Sequence, residues 1–158
     1  MKLKELNSLL QEVKPFDTQL QKVELEQYPT EAHLAARLVF TAATSVDDVE
    51  DKVVVDLGTG TGMLGIGCVM MGASRVIGID ADSDALSVAQ QNIDDIGVDE
   101  EMELLQADVS SLPLRSFRAP QPAGRQGDGG CAESHEPWVD TVVLNPPFGT
   151  RNKLSLIH

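Results

Sequence analysis

The sequence predicts an α/β domain built on a doubly wound parallel sheet, and three observations carry that expectation. Four short apolar runs, at residues 52–57, 75–80, 102–106 and 139–144, alternate with stretches of helical periodicity. The first run shows little polar alternation, as a strand does when helices cover both faces of its sheet. A glycine-rich turn, Gly58-Thr59-Gly60-Thr61-Gly62, follows that run directly. In such sheets nucleotides bind at the carboxyl ends of the strands, where the strand order reverses.

Size and composition bound the possibilities. At 158 residues the chain is long enough for one domain with a real core and too short for two. We therefore read 1–158 as a single domain, with 1–45 as a helical N-terminal segment. Twelve basic against 25 acidic residues give a formal net charge of −13, which argues against a broad surface coating nucleic acid. A small RNA contact remains compatible with that balance. The two cysteines, Cys68 and Cys131, have no partner at metal-ligand spacing, so neither a zinc site nor a disulfide framework is expected. The N-terminus lacks the apolar stretch of a signal peptide, and no run approaches the roughly 18 apolar residues that span a membrane. These features predict an intracellular protein of the cytoplasm or nucleus.

In chain order, Leu3, Leu6, Leu9, Leu10 and Val13 recur at helical spacing and predict an amphipathic helix ended by Pro15. A polar link leads to Glu26-Gln27-Tyr28-Pro29-Thr30. Thr30 is placed to cap a second helix whose apolar face is Leu34, Ala35, Leu38 and Val39. His33 reads as a surface or packing residue, because no nucleophile or ligand stands near it in sequence. After the glycine turn a helix is expected over 63–71, stopping at Gly72. Asp82 or Ser83 caps the next, which carries Leu86, Val88, Ala89 and Ile93 and ends at Gly97. The third strand ends at Ala107-Asp108-Val109. Residues 116–137, rich in Pro, Gly and polar residues, cannot bury enough apolar surface to offset their ordering entropy, and read as a mobile insertion.

The chemistry sits at the strand ends. Gly58-x-Gly60-x-Gly62 is not the dinucleotide pattern, because Met63 stands where the third glycine belongs. Asp56 just before the turn opposes a pyrophosphate but welcomes an ammonium group. A nucleoside with a cationic amino-acid tail therefore fits better than a ligand with phosphates. Asp80, about 20 residues past Gly60, can accept both ribose hydroxyls. Asp108 can take an adenine amino group, with the Val109 amide for a ring nitrogen. Any one of these acids alone reads as a cap or a solvated turn; three of them with the glycine turn, each at a strand end, read as a site. The fourth strand runs into Asn145-Pro146-Pro147-Phe148. Two prolines stiffen that backbone and leave it rich in acceptors, and with an amide and a ring the corner suits a planar amine.

Asp56-Leu57-Gly58-Thr59-Gly60-Thr61-Gly62, Asp80, Asp108 and Asn145-Pro146-Pro147-Phe148 resemble the motifs of class I S-adenosylmethionine-dependent amino-methyltransferases, which have a Rossmann-like doubly wound sheet. Glu26-Gln27-Tyr28-Pro29-Thr30 and Asn145-Pro146-Pro147-Phe148-Gly149-Thr150 resemble more closely the N6-adenosine methyltransferases of small-subunit ribosomal RNA. The likeness covers nearly all of the chain except the insertion. It implies S-adenosyl-L-methionine as cofactor, with Gln27 and Thr30 closing over it. It further implies that Gly58, Thr61 and Met63 line the methionine and ribose side. Thr59 and Thr61 stand where that family carries cysteines, a change expected to be tolerated because backbone amides do most of the binding.

The resemblance also implies a small zinc-binding activator subunit pairing with the third strand as the sheet edge. It implies further strands beyond the fourth, which is therefore expected at a border of this sheet. Asn-Pro-Pro-aromatic is shared with protein glutamine methyltransferases, so that activity is the alternative expectation, beside a non-catalytic form that binds cofactor or partner.

Overall fold

The structure is a computed structural model that describes residues 1–16, 30–109, 112 and 139–145. Its elements follow in the order α1 (Leu3–Leu10), α2 (Ala32–Thr41), a π-helical turn (Ala42–Val46), β1 (Val53–Leu57), α3 (Met63–Met70), β2 (Arg75–Asp80), α4 (Ser83–Ile96), β3 (Met102–Gln106) and β4 (Thr141–Leu144). The four strands form one parallel sheet in the order β3-β2-β1-β4, so the order reverses between β1 and β4. This is the expected doubly wound arrangement, with β3 at one edge and β4 at the other. Residues 116–137 lie outside the described residues.

Pleating divides the sheet into two unlike faces. Val54, Asp56, Val76, Gly78, Met102 and Val143 point one way and are all buried. On this face α3 lies close: a Cβ built at Gly65 would stand 2.6 Å from Met102 Cε and 3.2 Å from Asp56 Oδ2. The opposite face carries Val53, Leu57, Ile77, Leu105, Val142 and Leu144, none of them buried, around a buried centre of Val55 and Ile79. Cover on both faces was the expectation from the apolar pattern of β1. Among the described residues it is the fuller on the first of these faces, where Leu104 and Thr141 remain half-buried.

The helices depart from expectation in register more than in existence. The first ends at Leu10, four residues short of the residue before Pro15, with Gln11 as its C-cap. In α2 the buried stripe is Ala35, Ala36 and Val39, whereas Leu34 and Leu38 are 52% and 41% exposed. That face packs close to α3: a Cβ on Gly67 would lie 3.3 Å from Val39 Cγ2, with Leu10 Cδ1 of α1 at 3.5 Å. Thr30 does not cap this helix; Glu31 occupies the cap, with no side-chain cap bond. Asp82 caps α4 through the Asp84 amide, and Gly97 ends it in the left-handed conformation.

Gly78 in β2 is a second point of close approach. A Cβ there would stand 2.9 Å from both Leu104 Cδ2 and Thr59 Oγ1 and 3.1 Å from Met102 Cε. Leu104 can rotate away, but Thr59 is held by a buried hydrogen bond to Asp56. Gly78→Ala is therefore expected to cost about 1–3 kcal/mol of stability by overpacking, read as a lower urea midpoint. A midpoint equal to the wild type would show that the turn yields at no cost.

Candidate cofactor and amine site

Strand register explains why distant residues meet. Leu57 pairs with Ile79 on one side and Leu144 on the other. The next residue on each strand is Gly58, Asp80 and Asn145, so all three stand level at the carboxyl edge of the sheet. The turn after β1 is then latched: the Gly58 and Thr59 amides both donate to the Ile79 carbonyl, at 2.8 and 3.0 Å. Gly58, Gly60 and Gly62 have φ of 70°, 57° and 87°, conformations that glycine adopts without steric cost. A Cβ at Gly58 would meet nothing within 4 Å, so its backbone faces open space that a ligand can enter.

A recess open to solvent lies above this turn. Its walls include Thr30, Asp56, Gly58, Thr59, Gly60, Thr61, Met63 and Asn145, eight residues that the sequence singled out. Phe16 and Leu64 complete the lining and were not anticipated. Gly62 stands just behind, at the N-cap of α3. The Asn145 side chain donates through Nδ2 to Thr30 Oγ1 at 2.8 Å, joining two lining positions 115 residues apart. The hydroxyl expected to cap α2 thus anchors the amide at the end of β4.

The carboxylates have separate duties. Asp56 is buried, and its Oδ2 accepts from Thr59 Oγ1 at 2.7 Å and from the Gly65 amide at 3.0 Å. Burial pushes its carboxyl up to about 6; those two hydrogen bonds oppose the shift, and the charge of Asp80 adds to it. The same burial, and secondarily the Asp56 charge, pushes the Cys68 thiol up to about 12. Asp80 accepts from the Gly60 amide at 2.9 Å through Oδ2 and from the Asp82 amide at 3.0 Å through Oδ1. It reaches the recess through Gly60 rather than lining it. Asp108 and Val109 follow the end of β3, with Val109 45% exposed. Gln27, Pro146, Pro147 and Phe148 lie outside the described residues.

None of the described residues lining the recess is Lys or Arg. A buried carboxylate with open glycine backbone fits a ligand whose tail is cationic and disfavours phosphate. The lining therefore suits the cationic amino-acid portion of S-adenosyl-L-methionine. Among the described residues no cluster of His, Cys, Asp or Glu could hold a metal ion.

Phe16 and Asn92 carried no sequence signal. Asn92, in the middle of α4, is 1% exposed and bonds three ways. Its Oδ1 accepts from the Lys14 amide at 2.9 Å, while Nδ2 donates to the Lys14 carbonyl at 3.1 Å and to the Thr61 carbonyl at 2.9 Å.

Comparison with known proteins agrees with this geometry. Residues 28–116, more than half of the chain, match the family model described as "Ribosomal protein L11 methyltransferase (PrmA)". The chain is similar to the rRNA N(6)-adenosine-methyltransferase METTL5 of Danio rerio, 38% identical over 152 residues that make up 96% of this chain and 63% of that protein. It is 32% identical over 156 residues to the rRNA N(6)-adenosine-methyltransferase Mettl5 of Drosophila melanogaster, covering 99% of this chain and 63% of that one. A crystal structure of a candidate RNA methyltransferase from Pyrococcus horikoshii superposes with a TM-score of 0.70 at 32% identity, covering 95% of this chain and 60% of that chain. The chain thus spans about three fifths of the length of these relatives.

Proposed function

Because the chain belongs to the class I S-adenosylmethionine-dependent methyltransferases, we propose that it transfers a methyl group to the N6 amine of an adenosine in small-subunit ribosomal RNA. The observation that carries this reading is the convergence of Asn145 with the glycine turn on one recess, its amide tied to Thr30. The names of the zebrafish and fly relatives support the choice of acceptor.

S-adenosyl-L-methionine is the cofactor of this family and supplies a methyl group already activated for displacement. This chain's residues then have only to orient and desolvate the reactants. Asp56 and the open backbone of Gly58 to Gly62 would hold the amino-acid tail, with Thr61 and Met63 beside them. Asp80 would accept the ribose hydroxyls, Asp108 and Val109 the adenine edge, and Gln27 with Thr30 would close the site. On the acceptor side the N6 lone pair is delocalised into its ring and is a poor nucleophile. Accepting its N–H bonds at Asn145 and the Pro146 carbonyl favours the pyramidal nitrogen of the transition state. Pro147 would stiffen that corner, and Phe148 would stack on a base taken out of its RNA context.

Labelled methyl transfer to small-subunit ribosomal RNA, with and without a small zinc-binding activator subunit, tests the reading. Incorporation at N6 of adenosine supports it; cofactor binding without transfer to any RNA would instead select a non-catalytic binding form. The activator would pair with the β3 edge, where Leu104 and Leu105 are half-buried. The description of the matching family model favours a protein acceptor as the second reading, a glutamine side-chain amide being the planar group that the same corner fits. Methylation of a ribosomal protein or peptide but not of RNA would decide for it. Residence in nucleus and cytoplasm accords with a ribosomal substrate, and no helix among the described residues is long and apolar enough to cross a membrane.

A further inference from the structure

We propose that Phe16 is a cofactor-positioning residue and that Asn92 is the clamp that sets it, an inference that rests on the methyltransferase reading. The argument begins with how the segment after α1 is held. Val13 is buried in the core at 4% exposure, and one residue later the Lys14 backbone is gripped by Asn92 through both its amide and its carbonyl. That pairing copies one rung of a sheet, so it fixes the direction of the chain as well as its position. The exposed Lys14–Asp95 ion pair adds little to it.

From this grip the chain reaches Phe16, whose ring lines the recess. Its Cε2 and Cζ both lie 3.6 Å from the place a Cβ would occupy on Gly60. Gly60 is the residue whose amide donates to Asp80 Oδ2 at 2.9 Å. The ring therefore stands over the stretch of turn that leads to the proposed ribose carboxylate. The same Asn92 Nδ2 that holds the Lys14 carbonyl also holds the Thr61 carbonyl at 2.9 Å. One buried amide thus sets the spacing between the Phe16 wall and the glycine floor. Asn92 does not line the recess, so its influence on a ligand passes through these two segments.

A ring in this position offers an apolar flank and a π face to a sugar, a thioether or a sulfonium, each of which gains by leaving water beside it. A buried Asn with every described bond directed to backbone is a costly way to join a helix to a strap if the strap only needs packing. Its use here points to placement rather than to bulk.

Calorimetric titration of the whole chain with S-adenosyl-L-methionine, beside urea denaturation, tests the proposal. Phe16→Ala is expected to raise the cofactor Kd about tenfold or more, a loss typical of removing one aromatic wall. Phe16→Tyr, which restores the ring, is expected to stay within about threefold of the wild type, the spread left to one added hydroxyl. Asn92→Ala is expected to weaken binding by a similar factor without touching the ligand. With the activity reconstituted, Phe16→Ala should raise the cofactor KM and leave kcat at saturation nearly unchanged. An unchanged or lower Kd in Phe16→Ala, while the wild type binds, would overturn this proposal alone, since the ring would then merely fill the recess. Failure of the folded wild type to bind would overturn it together with the methyltransferase reading.

Discussion

Replacing Asn145 with alanine is expected to lower methyl transfer on the order of 100-fold while the cofactor Kd moves by less than about threefold, because the amide would act on charge that develops in the transition state. The division follows from where the side chain sits. Asn145 stands level with Gly58 across the β1–β4 pair and lines the recess from the strand beside the glycine turn. Its Nδ2 is engaged by Thr30 Oγ1 at 2.8 Å, which leaves Oδ1 as the acceptor for an incoming N–H. Removing the side chain deletes that acceptor but leaves the Gly58 and Thr59 latch to Ile79 intact. Thr30→Ala is expected to give a smaller fall in kcat, about tenfold, since the amide is then present but no longer aimed. Equal losses of binding and turnover in Asn145→Ala, measured by calorimetry and labelled transfer, would refute this assignment.

The second large effect is a pH dependence centred on Asp56. Its folded carboxyl lies at about 6 against an ordinary value of 3.8, so burial penalises the charged form. Between those values the folded state binds more protons than the unfolded chain, and stability therefore falls as pH rises through that window. At 1.36 kcal/mol per pH unit the difference amounts to about 3 kcal/mol, fully present above pH 6. Asp56→Asn removes the penalty. Thr59 and Gly65 both donate to the single oxygen Oδ2, so an amide with its carbonyl there keeps both bonds. Urea denaturation of the ligand-free protein from pH 4 to 7 should show the wild type losing ground to Asp56→Asn by about that amount. Parallel curves would place the carboxyl at an ordinary value.

Cofactor binding should run the other way. A cationic tail beside Asp56 favours the charged carboxylate, so affinity rises as pH passes through 6. At pH 5 only about a tenth of the carboxyl is ionised, and the wild type should bind about tenfold more weakly than at pH 7. Asp56→Asn should bind weakly at both values and show no such step.

Much of this site was legible because it is local. A glycine turn after an apolar strand, an acid at the end of the next strand and an Asn-Pro-Pro corner are each contiguous or a fixed distance apart, and parallel register brings their ends level. The face of α2 was not legible, since Ala32 to Phe40 carries apolar residues on more than one side. There the buried stripe is Ala35, Ala36 and Val39, and Val39 sits against Gly67 of α3, a feature of the neighbour and not of the helix. Asn92 and Phe16 were opaque for a stronger reason. Asn92 and Lys14 are 78 residues apart, and a lone Asn on a helix carries no pattern that names its partner. Thr30 was misassigned because a hydroxyl before a helix is commonly a cap, and only the arrival of Asn145 shows where its bond goes.

The way β4 is fastened has a mechanical consequence. It pairs with β1 over four residues, from Thr141 to Leu144, and has no second strand beside it among the described residues. Unzipping that short seam would withdraw the acceptor's grip while the donor's cradle stayed buttoned to Ile79 and Asn92. On the methyltransferase reading, donor and acceptor would thus be held by parts with unequal numbers of fastenings, and whatever braces the outer flank of β4 would set how often the site is assembled.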